Sequence, residues 1–196
     1  DDVGLGVYGQ ATTTLRDRID LTLGARFDYE NKEGRLATFS TPPIAPPTEV
    51  IAEKSFTNVT PQFAVAFRPA AGRTLYASVS RGFKAGGFNP ASPPGFAAYG
   101  EEHTWHVEGG LKTLVGGRAS ASAAVFFIDW DDLQLNLPDP TVPGQFFIAN
   151  VGAATSAGVE AELSARVTPV AGGANRMIDI DVFGGFHVDG VFHMMP

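Results

Sequence analysis

The sequence predicts an all-β chain, an antiparallel meander of about eight long strands that forms part of a transmembrane β-barrel. Three observations point there. Apolar and polar residues alternate with period two in segment after segment, while the spacing of an amphipathic helix hardly occurs. The connections between those segments are alternately short and long. Aromatic residues, among them Phe27, Tyr29, Tyr99, Trp105 and Trp130, fall near the ends of the segments.

The first strand, GVYGQATTTL near residues 6 to 15, is followed by the clearest one. In IDLTLGARFDYE, Ile19, Leu21, Leu23, Ala25, Phe27 and Tyr29 form one face, and Asp20, Thr22, Arg26, Asp28 and Glu30 the other. FTNVTPQFAVAFR divides the same way, with Val59, Pro61, Phe63, Val65 and Phe67 against Asn58, Thr60, Gln62 and Arg68. TLYASVSRGFK begins a fourth strand at Thr74. TWHVEGGLKTLV (104 to 115) and ASASAAVFFIDWDDLQL (119 to 135) supply two more. GVEAELSARVT sets Val159, Ala161, Leu163, Ala165 and Val167 against Glu160, Glu162, Ser164, Arg166 and Thr168, and MIDIDVFGGFHV (177 to 188) closes the series. Several exceed the five or six residues of an ordinary globular strand.

Short turns are expected at Arg16 to Arg18, Pro69 to Arg73, Gly116-Gly117 and Pro169 to Asn175. Longer connections are expected at Asn31 to Lys54, Asn89 to Glu101 and Pro138 to Gly144. Tight turns at one end and long loops at the other are the pattern of an outer-membrane barrel. No apolar run approaches the roughly 18 residues of a spanning helix. A formal charge of −7 without a basic tract argues against nucleic acid. The absence of cysteine removes disulfides, thiolate metal sites and cysteine nucleophiles. The opening DDVGLGVYGQ lacks a basic and an apolar region, so no signal peptide is expected within it.

YASVSRGFKAGGFNP (Tyr76 to Pro90), followed by ANVGAATSAGVEAEL (Ala149 to Leu163), resembles the barrel of TonB-dependent outer-membrane receptors. VYGQATTTL, LTLGARFDYE and AAVFFIDWDDLQ resemble further strands of that family in the same order, so the likeness covers nearly all of residues 1–196. The resemblance implies an active transporter in the bacterial outer membrane for siderophores, cobalamin or carbohydrates. Its partners would be membrane lipid, a small ligand such as a ferric siderophore, and the TonB complex, which engages an N-terminal region not recognisable here. No enzyme activity and no cofactor are implied. Such barrels have about twenty-two strands around a plug; this chain resembles a middle-to-late section, and it stops at HMMP where outer-membrane proteins usually finish on an aromatic residue.

Arg81 and Lys84 interrupt an otherwise small and apolar strand that climbs from the short turn at Gly72 to the long loop at Pro90. That places them at the outer rim. Arg81, Phe83, Lys84, Phe88 and Asn89 are therefore the candidate substrate-binding residues, with charge to attract an anion and aromatic rings for contact. A solvated rim is the plainer role for the two cations.

Other constellations point to no chemistry. GFKAGGF leads into a strand, not the helix a phosphate loop requires. His103 and His106, three apart, fall on opposite faces of a strand and do not converge on a metal. Asp129, Asp131 and Asp132 lack the glycine turn and distant Glu of a calcium loop. Glu160 and Glu162 stand about 7 Å apart on one strand face with nothing to split their acidities. Phe126, Phe127 and Trp130 suit an aromatic girdle. The rival architecture is a soluble β-sandwich whose apolar face packs on a second sheet.

Overall fold

The computed structural model describes residues 2–38, 48–116, 119–167 and 178–189. Eight strands form one antiparallel sheet, each hydrogen-bonded to its neighbours in chain order. They are β1 (Asp2–Leu15), β2 (Ile19–Thr38), β3 (Thr48–Ala70), β4 (Arg73–Lys84), β7 (Glu102–Val115), β8 (Ala119–Asp131), β11 (Ala153–Val167) and β12 (Ile178–Asp189). Two small hairpins interrupt the series at one end. The first joins β5 (Gly87–Phe88) to β6 (Ala98–Tyr99), and the second joins β9 (Gln134–Pro138) to β10 (Phe146–Asn150). No described residue is helical.

The tight end is built from unusual backbone. Arg16 and Asp17 both take left-handed φ, 50° and 55°, as the two central positions of a hairpin turn that matches strand twist, and Arg18 N–H closes it on Leu15 O at 3.1 Å. Gly72 takes φ 71° between β3 and β4. Above the first turn the Arg68 guanidinium meets both oxygens of Asp20, locking β3 to β2, and Thr14 Oγ1 donates to the same carboxylate at 2.7 Å.

Register then carries one face across the whole sheet. Leu23 pairs with Phe63, Phe63 with Val79, Val79 with Val107, Val107 with Phe127, Phe127 with Ala157, and Ala157 with Val188. One row nearer the tight turns run Leu21, Val65, Ala77, Gly109, Val125, Val159 and Phe186. Side chains directly opposite in a ladder share a face, so from β2 to β11 these rows are continuous apolar bands. The intervening rows are polar. Thr12 pairs with Thr22, their hydroxyls 2.9 Å apart, and Tyr76 donates to Glu108 at 2.6 Å.

The apolar face is bare. Val125 is 57% exposed and Val159 49%, whereas the buried hydrophobic side chains among the described residues, Phe56, Phe147, Ala149 and Ala154, all lie at the loop end. A soluble sandwich would cover those rows with a second sheet, and no described residue does so. On β4 the band runs from Arg73 to Arg81, about 26 Å along the strand and about 20 Å in height at a barrel's tilt, close to the lipid-facing belt of outer-membrane barrels. The bands face lipid and the polar rows face the lumen.

Three sequence expectations shift. The connection read as Asn31 to Lys54 is mostly strand, because β2 and β3 stay paired out to Thr38 and Thr48; residues 39–47 lie outside the described residues. The long strand read over 119 to 135 ends at Asp131, where Asp132 takes φ 54° and turns the chain into β9. Of the expected girdle only Phe127 is in an outward row. Phe126 pairs with Glu108 and Trp130 with Thr104, on lumen-facing rows, because strict alternation separates them from Phe127. The turn expected at Pro169 to Asn175, and Gly117 in its Gly-Gly turn, lie outside the described residues.

An arginine at position 125, mid-band and outward, is expected to cost the full-length receptor about 2–4 kcal/mol, while Ser122→Arg, on the lumen side beside Glu162, costs much less. Denaturant-dependent refolding into lipid vesicles measures both. Equal costs would mean that the two faces meet the same solvent.

Candidate functional site

The tight turns and the loop end divide the sheet into two unlike regions, and the candidate residues lie at the loop end. There the outward row ceases to be apolar, since Arg81 pairs with Trp105, Trp105 with Asp129 and Asp129 with Thr155. Trp105 is exposed, and an indole beside charged neighbours suits the boundary between hydrocarbon and water.

This register separates the two candidate cations. Arg81 stands on the outward face with Val79 and Phe83, and its Nε is shielded with no hydrogen-bond acceptor. Phe83 lies beside the His103 ring, centroids 5.9 Å apart. Lys84 stands on the opposite face, exposed, with Glu102 as its cross-strand partner. Phe88 leaves the strand and presses on β2, where a Cβ at Gly34 would come within 2.8 Å of its ring.

Asn89 is 4% exposed and its amide is fully committed. Nδ2 donates to Phe96 O at 2.7 Å and to Ile148 O at 2.8 Å, while Oδ1 accepts from Ile148 N–H at 2.8 Å. Both amide hydrogens are spent on backbone. Of the five candidates, only Lys84 combines lumen-side placement with an exposed functional group.

The loop end also contains groups that sequence reasoning passed over. Gln134 Nε2 donates to Ala85 O at 3.1 Å and to Gly100 O at 2.9 Å, and its backbone N–H donates to Glu102 Oε2 at 2.8 Å. Asn150 Oδ1 accepts from Gly100 N–H at 2.6 Å, and its Nδ2 donates to Glu101 O at 3.0 Å and Asp132 O at 2.8 Å. Phe96 packs on Phe147 with centroids 5.0 Å apart. No periodicity announces such bonds, because they join residues from 18 to 50 positions apart.

Between β3 and this loop cluster lies a cavity of about 420 Å³ lined by Lys54, Ser55, Glu101, His103, Asp132 and Asn150. Lys54 approaches the Phe56 ring to 5.2 Å, and Lys32, its direct cross-strand partner, to 5.9 Å, so an aromatic face offsets two like charges placed opposite each other. His103 Nε2 stands 3.3 Å from Glu101 Oε2, and its Nδ1 3.5 Å from Asn58 Nδ2. His106 instead faces Glu108 at 3.8 Å. The cavity wall therefore carries a lysine on one side and carboxylates on the other, suited to holding a polar ligand.

A lipid-facing apolar sheet with a polar inner face and an elaborated outer end defines a section of an outer-membrane β-barrel. The chain matches, over residues 2–191, the family described as TonB dependent receptor-like, beta-barrel, and it belongs to that family. Its fold is similar to the ferric yersiniabactin uptake receptor of Yersinia pestis, with TM-score 0.72 and 20% identity over 98% of this chain and 28% of that one. It is similar also to the alcaligin outer-membrane receptor of Bordetella pertussis, with TM-score 0.62, 19% identity, and coverage of 100% and 32%. The copper transporter OprC gives TM-score 0.66 and 19% identity, covering 84% and 27%. The chain thus spans about a third or less of each. The family and these neighbours are transport receptors, not enzymes, and the chain is a piece of an outer-membrane barrel.

The turn of the β9–β10 hairpin gives a pH prediction. The Thr141 hydroxyl, at 2.6 Å, with the N–H groups of Thr141 and Val142, holds the Asp139 carboxyl below the ordinary carboxylate range. A lowered folded value means stabilisation that is complete above the unfolded value near 3.9 and lost as pH falls through the folded one. A spin label at position 144 is expected to be immobilised at neutral pH and mobile in acid. Asp139→Ala should make it mobile at every pH; an Asp139→Ala label that stays immobilised would remove the carboxylate from the account.

Proposed function

We propose that the intact receptor captures a scarce, anionic small molecule of the ferric-siderophore type at the outer mouth of the barrel. Import is energised through the TonB complex, which engages a region outside this section. The observation that carries this reading is the cavity at the loop end, where Lys54, in a lumen-facing row of β3, meets a polar wall. Lys84, exposed on the same side of β4, adds a second cation. The neighbours' names, two of which refer to ferric yersiniabactin and to copper, support metal-linked cargo.

In this proposal the five residues first singled out divide by role. Lys84 attracts the ligand. Phe83 and Phe88 shape the mouth, Phe83 through His103 and Phe88 through its seat on Gly34. Arg81, in the row of Trp105 and Asp129, anchors the rim at the membrane surface. Asn89 supports the loop from behind. Glu101 and Asp132 suit the hydroxyls of a carbohydrate equally well, which makes a neutral sugar the second reading.

Binding of ferric siderophores and of oligosaccharides to the full-length receptor, at low and moderate salt, separates them. Lys54→Ala and Lys84→Ala are expected to weaken an anionic chelate by about tenfold at low salt and by less at moderate salt, since screening shortens the reach of both charges. Arg81→Ala should leave affinity unchanged. Salt-independent binding of a neutral sugar, untouched by either lysine variant, would overturn the anionic reading and favour the carbohydrate one.

A further inference from the structure

Residues 85–101 and 132–152 are far apart in sequence and leave the sheet at neighbouring strands. Inside the sheet a backbone group finds its partner in the next strand, but both segments abandon that ladder. Beyond the two short hairpins, peptide groups of these segments are met by side-chain carboxamides. Asn89, on the first segment, binds both backbone groups of Ile148 on the second. Gln134 and Asn150, on the second, bind Ala85 O, Gly100 N–H, Gly100 O and Glu101 O on or beside the first. The bonds run in both directions.

The packing leaves little slack. A Cβ at Gly86 would lie 2.3 Å from Tyr99 O and 2.8 Å from the Gly100 carbonyl carbon, so the two arms of the first segment touch backbone to backbone. The Phe96 and Phe147 rings close the far side, and Phe147 and Ala149 are buried. A carboxamide suits the seam because it is a peptide group on a side chain, with one acceptor and two donors, and carries no charge to desolvate.

We propose that Asn89, Gln134 and Asn150 are positioning residues that fasten the β5–β6 and β9–β10 segments into one rigid body, which presents the outer wall of the cavity as a unit. The fastening stands on these bonds; only its consequence for capture rests on the function proposed above. Any closure over a ligand then takes place at the seam with β2 and β3, not between the two segments.

The test is amide hydrogen exchange in the full-length receptor reconstituted in lipid, without ligand, so its outcome is independent of what the receptor binds. Asn150→Ala removes the acceptor of Gly100 N–H and should lower protection there by about tenfold. The informative amides are those of Asn89 and Ile148, which Asn150 does not touch. A comparable loss at both is expected if the segments open together. Loss confined to Gly100, or none, would overturn the proposal.

Should Asn150→Ala fail to insert, Gln134→Glu serves in its place. A carboxylate aimed at Ala85 O and Gly100 O repels both, whereas the protonated acid donates one bond, and that environment favours protonation. Protection at Asn89 and Ile148, corrected for intrinsic exchange, should therefore be low near pH 8 and return as pH falls toward 5. Protection that ignores pH, or that falls over this range, would equally overturn the fastening.

Discussion

A backbone amide in hydrocarbon has no water to turn to, and the organisation of this chain follows from having to pair each one with a neighbouring strand. Strands joined in sequence order by tight turns meet that demand with the least chain. The Arg16-Asp17 turn accepts two left-handed residues without glycine, and Arg68 reaches across to Asp20 just above it. Those fixed points set the register at the tight end. Everything above inherits it, because a slip of one residue would exchange the two faces of a strand.

Inheritance of register explains how modest local signals produce a sheet-wide surface. No single strand here is strongly hydrophobic, and β4 contributes little more than Leu75, Ala77 and Val79 to its outward face. Aligned with Leu111, Gly109 and Val107 of β7, and through them with Ala123, Val125 and Phe127 of β8, those residues become part of a continuous belt. The belt closes with charge at Arg73 on one side and with Arg81 and Asp129 on the other. By its row, Arg81 stands at the upper limit of the lipid face.

The fold was legible in the sequence for the same reason. Period-two alternation in IDLTLGARFDYE or GVEAELSARVT is imposed directly by two solvents, lipid and water, on opposite faces, and the alternating connections reported which end was elaborated. What alternation cannot report is how far pairing continues once both faces are wet, so the extension of β2 and β3 past Asn31 and Lys54 has no signature in the sequence. Trp130 and Phe126 were misplaced because aromatic character suggested a girdle while parity, the stronger constraint, put them inward. The candidate site was legible only in part. Lys84 could be found as a charge near a strand end, but Gln134 and Asn150 act through backbone partners from which no sequence spacing could point to them.

The segments that signalled the family were nevertheless the right ones, and their chemistry now has an account. GFKAGGFNP contributes Gly86, which admits Tyr99 O where a side chain would clash, and Asn89. DWDDLQ contributes Gln134, and ANVGAA contributes Asn150. Each lies just beyond the belt, where the chain leaves the ladder yet remains too crowded for water to satisfy every peptide group. Within the membrane the missing partner is another strand. At the rim it is a side chain with the same donors and acceptor as a peptide, which makes the outer clamp a continuation of the hydrogen-bonding constraint that built the sheet.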